Sequence, residues 1–343
     1  MSPPAVLVAR LDNCGDVLLA GPTVCAVHEA GRPVVLLCGP KGRPAAEVLP
    51  GVDEIVELAA PWIDPDAPNL APEDAAALAD AVRHRGVSDA LVLTSSHQSP
   101  LPLALLLRWA GVERIAAVSH DHAGALLDAR IPGDPDVHEV RRNLLVAAAL
   151  GFAAPADDRL AVLPSRESSA SPPTEPTVVV HPGASVPART LSPARWSDVV
   201  KTLAAGGWRV VVTGTEREAR IAAAVSGNYP SVVDLSGGTT FRELGEVIAS
   251  ADAFVGGNTG PLHLAAAVGT PAVAIFPPTV PLARWHPWKV RHAVLGDQAV
   301  PCAGCRSREC PLPRQVCLDP VDPAAVADAV GAVARRRPVV VGR

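Results

Sequence analysis

The sequence predicts an α/β protein made of two parallel-sheet domains. Three observations carry this. Strand-like and helix-like segments alternate along almost the whole chain. The alternation stops once, in a Ser/Pro-rich stretch at residues 153–176, and then restarts. And 343 residues exceed what one hydrophobic core usually holds, roughly 250–300 residues.

In the first half, residues 5–10 form an apolar strand. Residues 15–30 read as a helix stopped by Gly31. Strand 33–38, short helix 43–49 and strand 54–58 follow. Helix 72–85 ends at Gly86, strand 90–94 leads to helix 100–110, and Gly111 closes that helix. Strand 114–118 and helix 137–150 complete the half. Such a βαβα rhythm implies a parallel sheet covered by helices. In the second half, strand 177–181 precedes helix 193–205, whose Ser192-Pro193 start is an N-cap followed by proline at the first helical position. Strand 208–213, helix 216–226, strand 232–235 and helix 241–249 follow. Strand 253–255, a glycine-rich turn, an apolar helix from 264 to 269 and strand 271–276 come next, and the last helix spans 323–335. The expected domains are 1–160 and 177–343, joined by a linker at 161–176, with the last helix a candidate to pack back on the first domain. Open α/β sheets bind ligands beyond the carboxyl ends of their strands, so the expected site is the cleft between the domains.

Composition narrows the function. Hydrophobic residues make up 48% and charged residues 19%, with a net charge of −5 and a pI near 6.1. A nucleic-acid binder would usually be basic. No apolar run approaches the ~20 residues that cross a bilayer. The N-terminus has neither the basic region nor the long apolar stretch of a signal peptide. A cytoplasmic chain is expected, with any membrane attachment peripheral, at the inner face.

The most informative segment is Gly256-Gly257-Asn258-Thr259-Gly260-Pro261-Leu262-His263, between an apolar strand and an apolar helix. It puts backbone N–H groups and a hydroxyl at a helix start, where unpaired donors and the helix dipole favour a phosphate. Two further strand-to-helix loops resemble it in kind. His181-Pro182-Gly183-Ala184-Ser185 is followed by Arg189, which offers a bidentate fork for an anion. Thr213-Gly214-Thr215-Glu216-Arg217-Glu218 offers acids for ribose hydroxyls, or simply acids that favour a helix start. At the end of the first strand stands Arg10-Leu11-Asp12-Asn13-Cys14-Gly15-Asp16. Asp16 is a first-turn acid that stabilises its helix, or a base for an incoming hydroxyl. Asp12 is an N-cap or a second candidate base. Thr94-Ser95-Ser96-His97-Gln98-Ser99 and Ser119-His120-Asp121-His122 are candidate acceptor loops, or plain helix-capping loops.

These motifs, with Val6-Leu7-Val8-Ala9-Arg10-Leu11, Gly15-Asp16-Val17-Leu18-Leu19-Ala20 and a late cysteine cluster, occur in the order found in glycosyltransferase family 9. The chain resembles that family, the ADP-heptose:lipopolysaccharide heptosyltransferase-like proteins, nearly end to end. The resemblance implies a GT-B fold, two Rossmann-like domains facing across a cleft. It implies inverting, metal-independent transfer from a nucleotide-linked sugar, typically ADP-heptose, to a hydroxyl of a glycan, lipid-linked or small-molecule acceptor. No cofactor is required on this reading. Position by position, Asp16 matches the general base, and Arg189 stands where the family usually has a lysine for the leaving diphosphate. Ser185, Gly214, Glu218, Asn258, Thr259, Gly260 and His263 are the expected donor-binding residues. Asp12, Asn13, His97 and Gln98 are the expected acceptor-binding residues. The family commonly has aspartate at the position of Asn258, so the sugar is left open. Two alternatives stand beside the transferase: a non-catalytic sugar-nucleotide binder, and another GT-B enzyme such as a nucleotide-sugar epimerase.

Cys302, Cys305, Cys310 and Cys317 lie within sixteen residues. Four thiolates suit a structural zinc or an iron–sulfur cluster, although the spacing matches neither a common zinc finger nor a ferredoxin. Packing by reduced thiols is the other reading.

Overall fold

The computed structural model describes residues 3–134, 136–164 and 175–335. The chain divides into two compact units between Leu163 and Pro164. Of the expected linker, residues 165–174 lie outside the described residues.

The first unit runs β1 (Ala5–Arg10), α1 (Cys14–Leu19), α2 (Gly21–Glu29), β2 (Val34–Cys38), α3 (Arg43–Ala46) and β3 (Glu54–Glu57). It continues α4 (Pro72–His84), β4 (Val87–Val92), α5 (Leu101–Ala110), β5 (Arg114–Val118), β6 (Ala129–Ile131) and α6 (Glu139–Ala149). Its six strands are all parallel, in the order β3-β2-β1-β4-β5-β6. β1 lies at the centre, with Val8 opposite Leu36 on one side and Leu91 on the other. Helices cover such a sheet on both faces, which is why every residue of β1 is buried. The helix expected over 15–30 is two helices. Pro22 has no N–H to continue the ladder, and the chain restarts with Thr23 and Val24 both donating to the Ala20 carbonyl.

The second unit runs β7 (Thr177–His181), α7 (Pro193–Ala205), β8 (Arg209–Val212), α8 (Ala219–Ser226), β9 (Val232–Asp234) and α9 (Phe241–Ser250). It continues β10 (Ala253–Gly257), α10 (Gly260–Ala267), β11 (Ala272–Ile275), α11 (Leu282–Trp285), β12 (His292–Leu295) and α12 (Pro323–Val333). Its parallel sheet has the order β12-β11-β10-β7-β8-β9. Counted from the opposite edge, this repeats the first unit's order with β7 in the place of β1. It is the strand order of dinucleotide-binding folds, whose direction reverses beside the first strand. The loops that follow β1, β4, β7 and β10 therefore gather at the ligand-binding ends of the two sheets.

The last helix, the candidate to pack back on the first domain, contributes to the core of the second unit. α12 turns Val326, Val330 and Val333 into the second unit's own core, beside Val199 and Val200 of α7 and Val273 and Ile275 of β11. Strands β6 and β12 and the short helix α11 add to what the sequence predicted. Gly256 and Gly257, expected in the turn, still belong to β10, and α10 begins already at Gly260.

Candidate active site in two loop clusters

In the first unit the site is built around Arg10, the last residue of β1. Its side chain is fully buried. One guanidinium nitrogen donates to Asp16 Oδ1 at 2.6 Å and to Ser95 Oγ at 2.8 Å. Nε lies 2.9 Å from Asp12 Oδ2, at an angle poor for a hydrogen bond, and Nη1 lies 3.5 Å from Glu139 Oε2. Glu139 is itself buried, in the first turn of α6, and also faces Arg142 at 3.5 Å. A lone buried guanidinium costs several kcal/mol. Burial alone would lower the Arg10 pKa, but Asp12, Asp16 and Glu139 together hold it above its already high value. Burial pushes the Asp12 carboxyl above the usual carboxylate range; Arg10 pulls it down and Asp16 pushes it further up.

Among the described residues, this cluster sets the carboxylates of Asp12, Asp16 and Glu139 around the Arg10 guanidinium. Its arrangement orients carboxylates and leaves two partly exposed, the Asp16 side chain at 17% and that of Asp12 at 11%. Gln98 donates to Asp12 Oδ1 at 2.5 Å and accepts from the Ser95 N–H at 2.8 Å, so the β4–α5 loop is tied to the β1–α1 loop. The structure thus brings Asp12, Asp16 and Gln98 together. His97 is exposed but near enough to act electrostatically on Asp12. Asn13 is the N-cap of α1, with no side-chain cap bond. A cavity of about 10 Å³ lies beside Asp12 and Thr94, under Trp62 and Pro100; it has room for one water.

The hub of this cluster, Arg10, went unassigned in the sequence, as did Glu139 and Arg142; Ser95 was named only as part of a candidate acceptor loop. One signal was available: a charged residue ending a wholly apolar, strand-sized run must find buried partners.

In the second unit three loops meet beyond β7, β8 and β10. His181, at the end of β7, is buried, with Nδ1 3.0 Å from Thr213 Oγ1 and Nε2 3.8 Å from Glu218 Oε2. Burial lowers its pKa below the ordinary histidine value, while Glu218 opposes the shift. Glu218 Oε2 accepts from both the N–H and the hydroxyl of Thr215, each at 2.8 Å, forming a capping box. The helix-start role weighed for Glu218 is therefore present. Gly183 makes room for it, since a Cβ there would sit 2.1 Å from Glu218 Oε1. Gly214 is tight as well, 3.3 Å from the Glu218 Cβ.

Arg189 ends a short turn that begins at Pro187. A Cβ on Gly257 would lie 2.6 Å from the Arg189 carbonyl oxygen, so only glycine lets this turn touch the end of β10. That contact sets Arg189 next to Asn258-Thr259-Gly260. Thr259 is the N-cap of α10, and Pro261, without an N–H of its own, opens its first turn. Asn258 is buried, and Ser185 is exposed. His263 lies on the buried side of α10, its ring centroid 6.4 Å from that of Trp285. The turn is held from α7 too: Trp196 Nε1 donates to Thr190 Oγ1 at 2.8 Å, and that hydroxyl donates to the Pro182 carbonyl at 2.7 Å. A glycine-rich loop and a helix start, with the turn that carries Arg189 packed against the end of β10, suit a diphosphate.

The zinc expectation gains no support. Among the described residues, no three His, Cys, Asp or Glu side chains come together as a metal site. Cys317 is buried in the core, Cys310 is half-buried, and Cys302 and Cys305 are exposed. Burial raises the Cys317 thiol pKa above its ordinary value, and the three other cysteines add to the shift.

Solved structures of heptosyltransferases share this architecture. Escherichia coli ADP-heptose lps heptosyltransferase II matches with a TM-score of 0.73 at 19% identity, covering 96% of this chain and 98% of that one. E. coli heptosyltransferase WaaC with ADP-2-deoxy-2-fluoro heptose matches with a TM-score of 0.72 at 18% identity, covering 96% and 99%. The fold is α/β, with two Rossmann-like halves of the GT-B type. The description of glycosyltransferase family 9 (heptosyltransferase) matches residues 75–315, and the chain belongs to that family. Among curated relatives, lipopolysaccharide heptosyltransferase 3 of E. coli is 36% identical over 115 residues, 32% of this chain and 34% of the relative. The matched segment thus spans about a third of that relative's length. No helix among the described residues is long and apolar enough to cross a membrane.

Proposed function

We propose that the chain is an inverting, metal-independent glycosyltransferase. It moves a heptose or related sugar from an ADP-linked donor to a hydroxyl of a glycan, lipid-linked or small-molecule acceptor. The observation that carries this reading is the state of Asp16. It is oriented by Arg10 at 2.6 Å yet keeps 17% exposure, as a base that must meet an incoming hydroxyl requires. Family membership supports the sugar donor, and the WaaC structure with an ADP-linked heptose analogue supports ADP as its nucleotide.

In the step proposed, the acceptor oxygen attacks the anomeric carbon and gives its proton to Asp16. The bond from that carbon to the diphosphate oxygen breaks with inversion, and both electrons stay on the leaving ADP. The growing charge is met by Arg189 and by the amides at the start of α10. Gly214 and Glu218 line the loop assigned to the ribose, with Ser185 and His263 assigned to the donor as well. Asp12, Asn13, His97 and Gln98 are assigned to the acceptor. Asn258 keeps the shape of an aspartate without its charge, so this residue leaves the identity of the sugar open.

Asn258 also favours one second reading, a non-catalytic sugar-nucleotide binder. One experiment separates the two. Thermal shifts with ADP, UDP and GDP, alone and as sugar conjugates, are followed by transfer assays on the wild type and Asp16→Ala. The transferase reading expects ADP species to stabilise both proteins, and transfer to drop about 10²–10⁴-fold in Asp16→Ala. Binding without transfer in the wild type would support the non-catalytic reading. A preference for UDP species would overturn the ADP donor.

A further inference from the structure

The cysteine-bearing loop is held to the second unit by backbone and side-chain hydrogen bonds. Its lower end is anchored: Cys317 and Leu318 are in the core with Val300, and the Asp297 N–H donates to the Cys317 carbonyl at 2.8 Å. Arg195 of α7 donates to the Leu318 carbonyl at 2.8 Å, to that of Asp319 at 3.1 Å, and to that of Val321. From this base the loop reaches over the ligand-binding ends of the second sheet. The Gly304 N–H donates to the Pro278 carbonyl at 2.6 Å and the Arg306 N–H to the Thr279 carbonyl at 3.0 Å, just beyond β11. Arg306 holds a left-handed backbone, φ 53°, to make that crossing.

The loop then grips the turn that carries Arg189. The Ala188 N–H donates to the Arg308 carbonyl at 2.9 Å, and Gln315 Nε2 donates to the Ala188 carbonyl at 2.7 Å. Both backbone groups of one buried residue, immediately before Arg189, are thus satisfied by the cysteine loop. On the other side of Arg189, Thr190 is held by Pro182 and Trp196. An arginine on a short turn has many conformers; a turn fixed at both neighbours presents far fewer.

We propose that this loop is a positioning element for the donor diphosphate, with Gln315 the positioning residue that acts through Ala188 on Arg189. The proposal rests on the donor role given to Arg189 above. Gln315 itself touches no substrate. Gln315→Glu keeps the shape but sets a carboxylate oxygen, which cannot donate, against the Ala188 carbonyl. Gln315→Ala removes the donor without adding a charge.

The test combines hydrogen exchange of the 186–190 segment with ADP titration of the wild type, Gln315→Glu, Gln315→Ala, Arg189→Ala and Gln315→Ala/Arg189→Ala. The expected results are faster exchange at 186–190 in both Gln315 variants and ADP binding weakened about three- to tenfold, the scale of one lost hydrogen bond. In the Arg189→Ala background the Gln315 substitution adds nothing further, because both act through one group. Unchanged exchange at 186–190 would overturn the clamp. So would a Gln315 effect that persists at full size without Arg189. If the wild type binds no ADP, the donor reading falls, and the exchange measurement still decides whether Gln315 holds the turn.

Discussion

At the scale of single residues, the two clusters handle buried charge in opposite ways. Arg10 stays charged in the interior because carboxylates surround it. Burial favours the neutral form of His181 over the opposing pull of Glu218, whose Oε2 is 3.8 Å away. The second arrangement has a consequence for pH. The folded pKa of His181 lies below its unfolded value, so the folded protein binds fewer protons than the unfolded chain in the window between them. Its contribution to stability is complete above the ordinary histidine value of about 6.5 and is lost as the pH falls through the lowered one. Urea unfolding of the wild type and His181→Asn between pH 7.5 and 5 checks this. The wild type should lose stability on acidification with the steeper slope, and parallel slopes would show that His181 does not carry the effect. Arg10 also shows why part of the site escaped sequence reading. Its partners Ser95 and Glu139 are 85 and 129 residues away, and no local spacing records such a contact.

At the scale of elements, the central strands and their following loops were legible because their patterns are local. A wholly apolar run ends in a loop of small and polar residues, and the parallel sheet follows from that repetition. The pieces missed are short and at edges. β6 has three residues and β12 four, each half-buried in large part, and such strands carry little apolar signal. The contact between β10 and the Arg189 turn was illegible for another reason, since a glycine in a motif does not say what approaches it. Gly257 gives that contact a direct test. In Gly257→Ala the new methyl meets backbone, which has no rotamer to escape into, so strand and turn must separate. A stability loss of about 1–3 kcal/mol is expected from this overpacking, with weaker ADP binding. Gly214→Ala, whose nearest contact is a side-chain carbon at 3.3 Å, is the milder control. Urea midpoints and ADP titrations of the two variants rank them, and equal losses would argue against the Arg189 contact as the cause.

At the scale of the whole molecule, two sheets with one strand order make a chain rich in long-range parallel pairings. Such topologies fold slowly, and chains of this length pass through intermediates. Stopped-flow refolding from urea is expected to show several phases, with amplitude lost in the dead time; one exponential carrying the whole signal would contradict this. The central place of β1 adds a constraint on synthesis. β1 is made before both strands that flank it, yet one of its edges waits for β4, which ends at Val92, long after β2 ends at Cys38. At 5–20 residues per second, that edge stays open for about 4–16 seconds on the ribosome, from the end of β1 at Arg10 to the end of β4 at Val92. The wait is repeated for β7 until β10 emerges. The strands that position the candidate site are thus the ones the nascent chain must leave unpaired longest, and there a passing chaperone or another unfinished chain finds its opening.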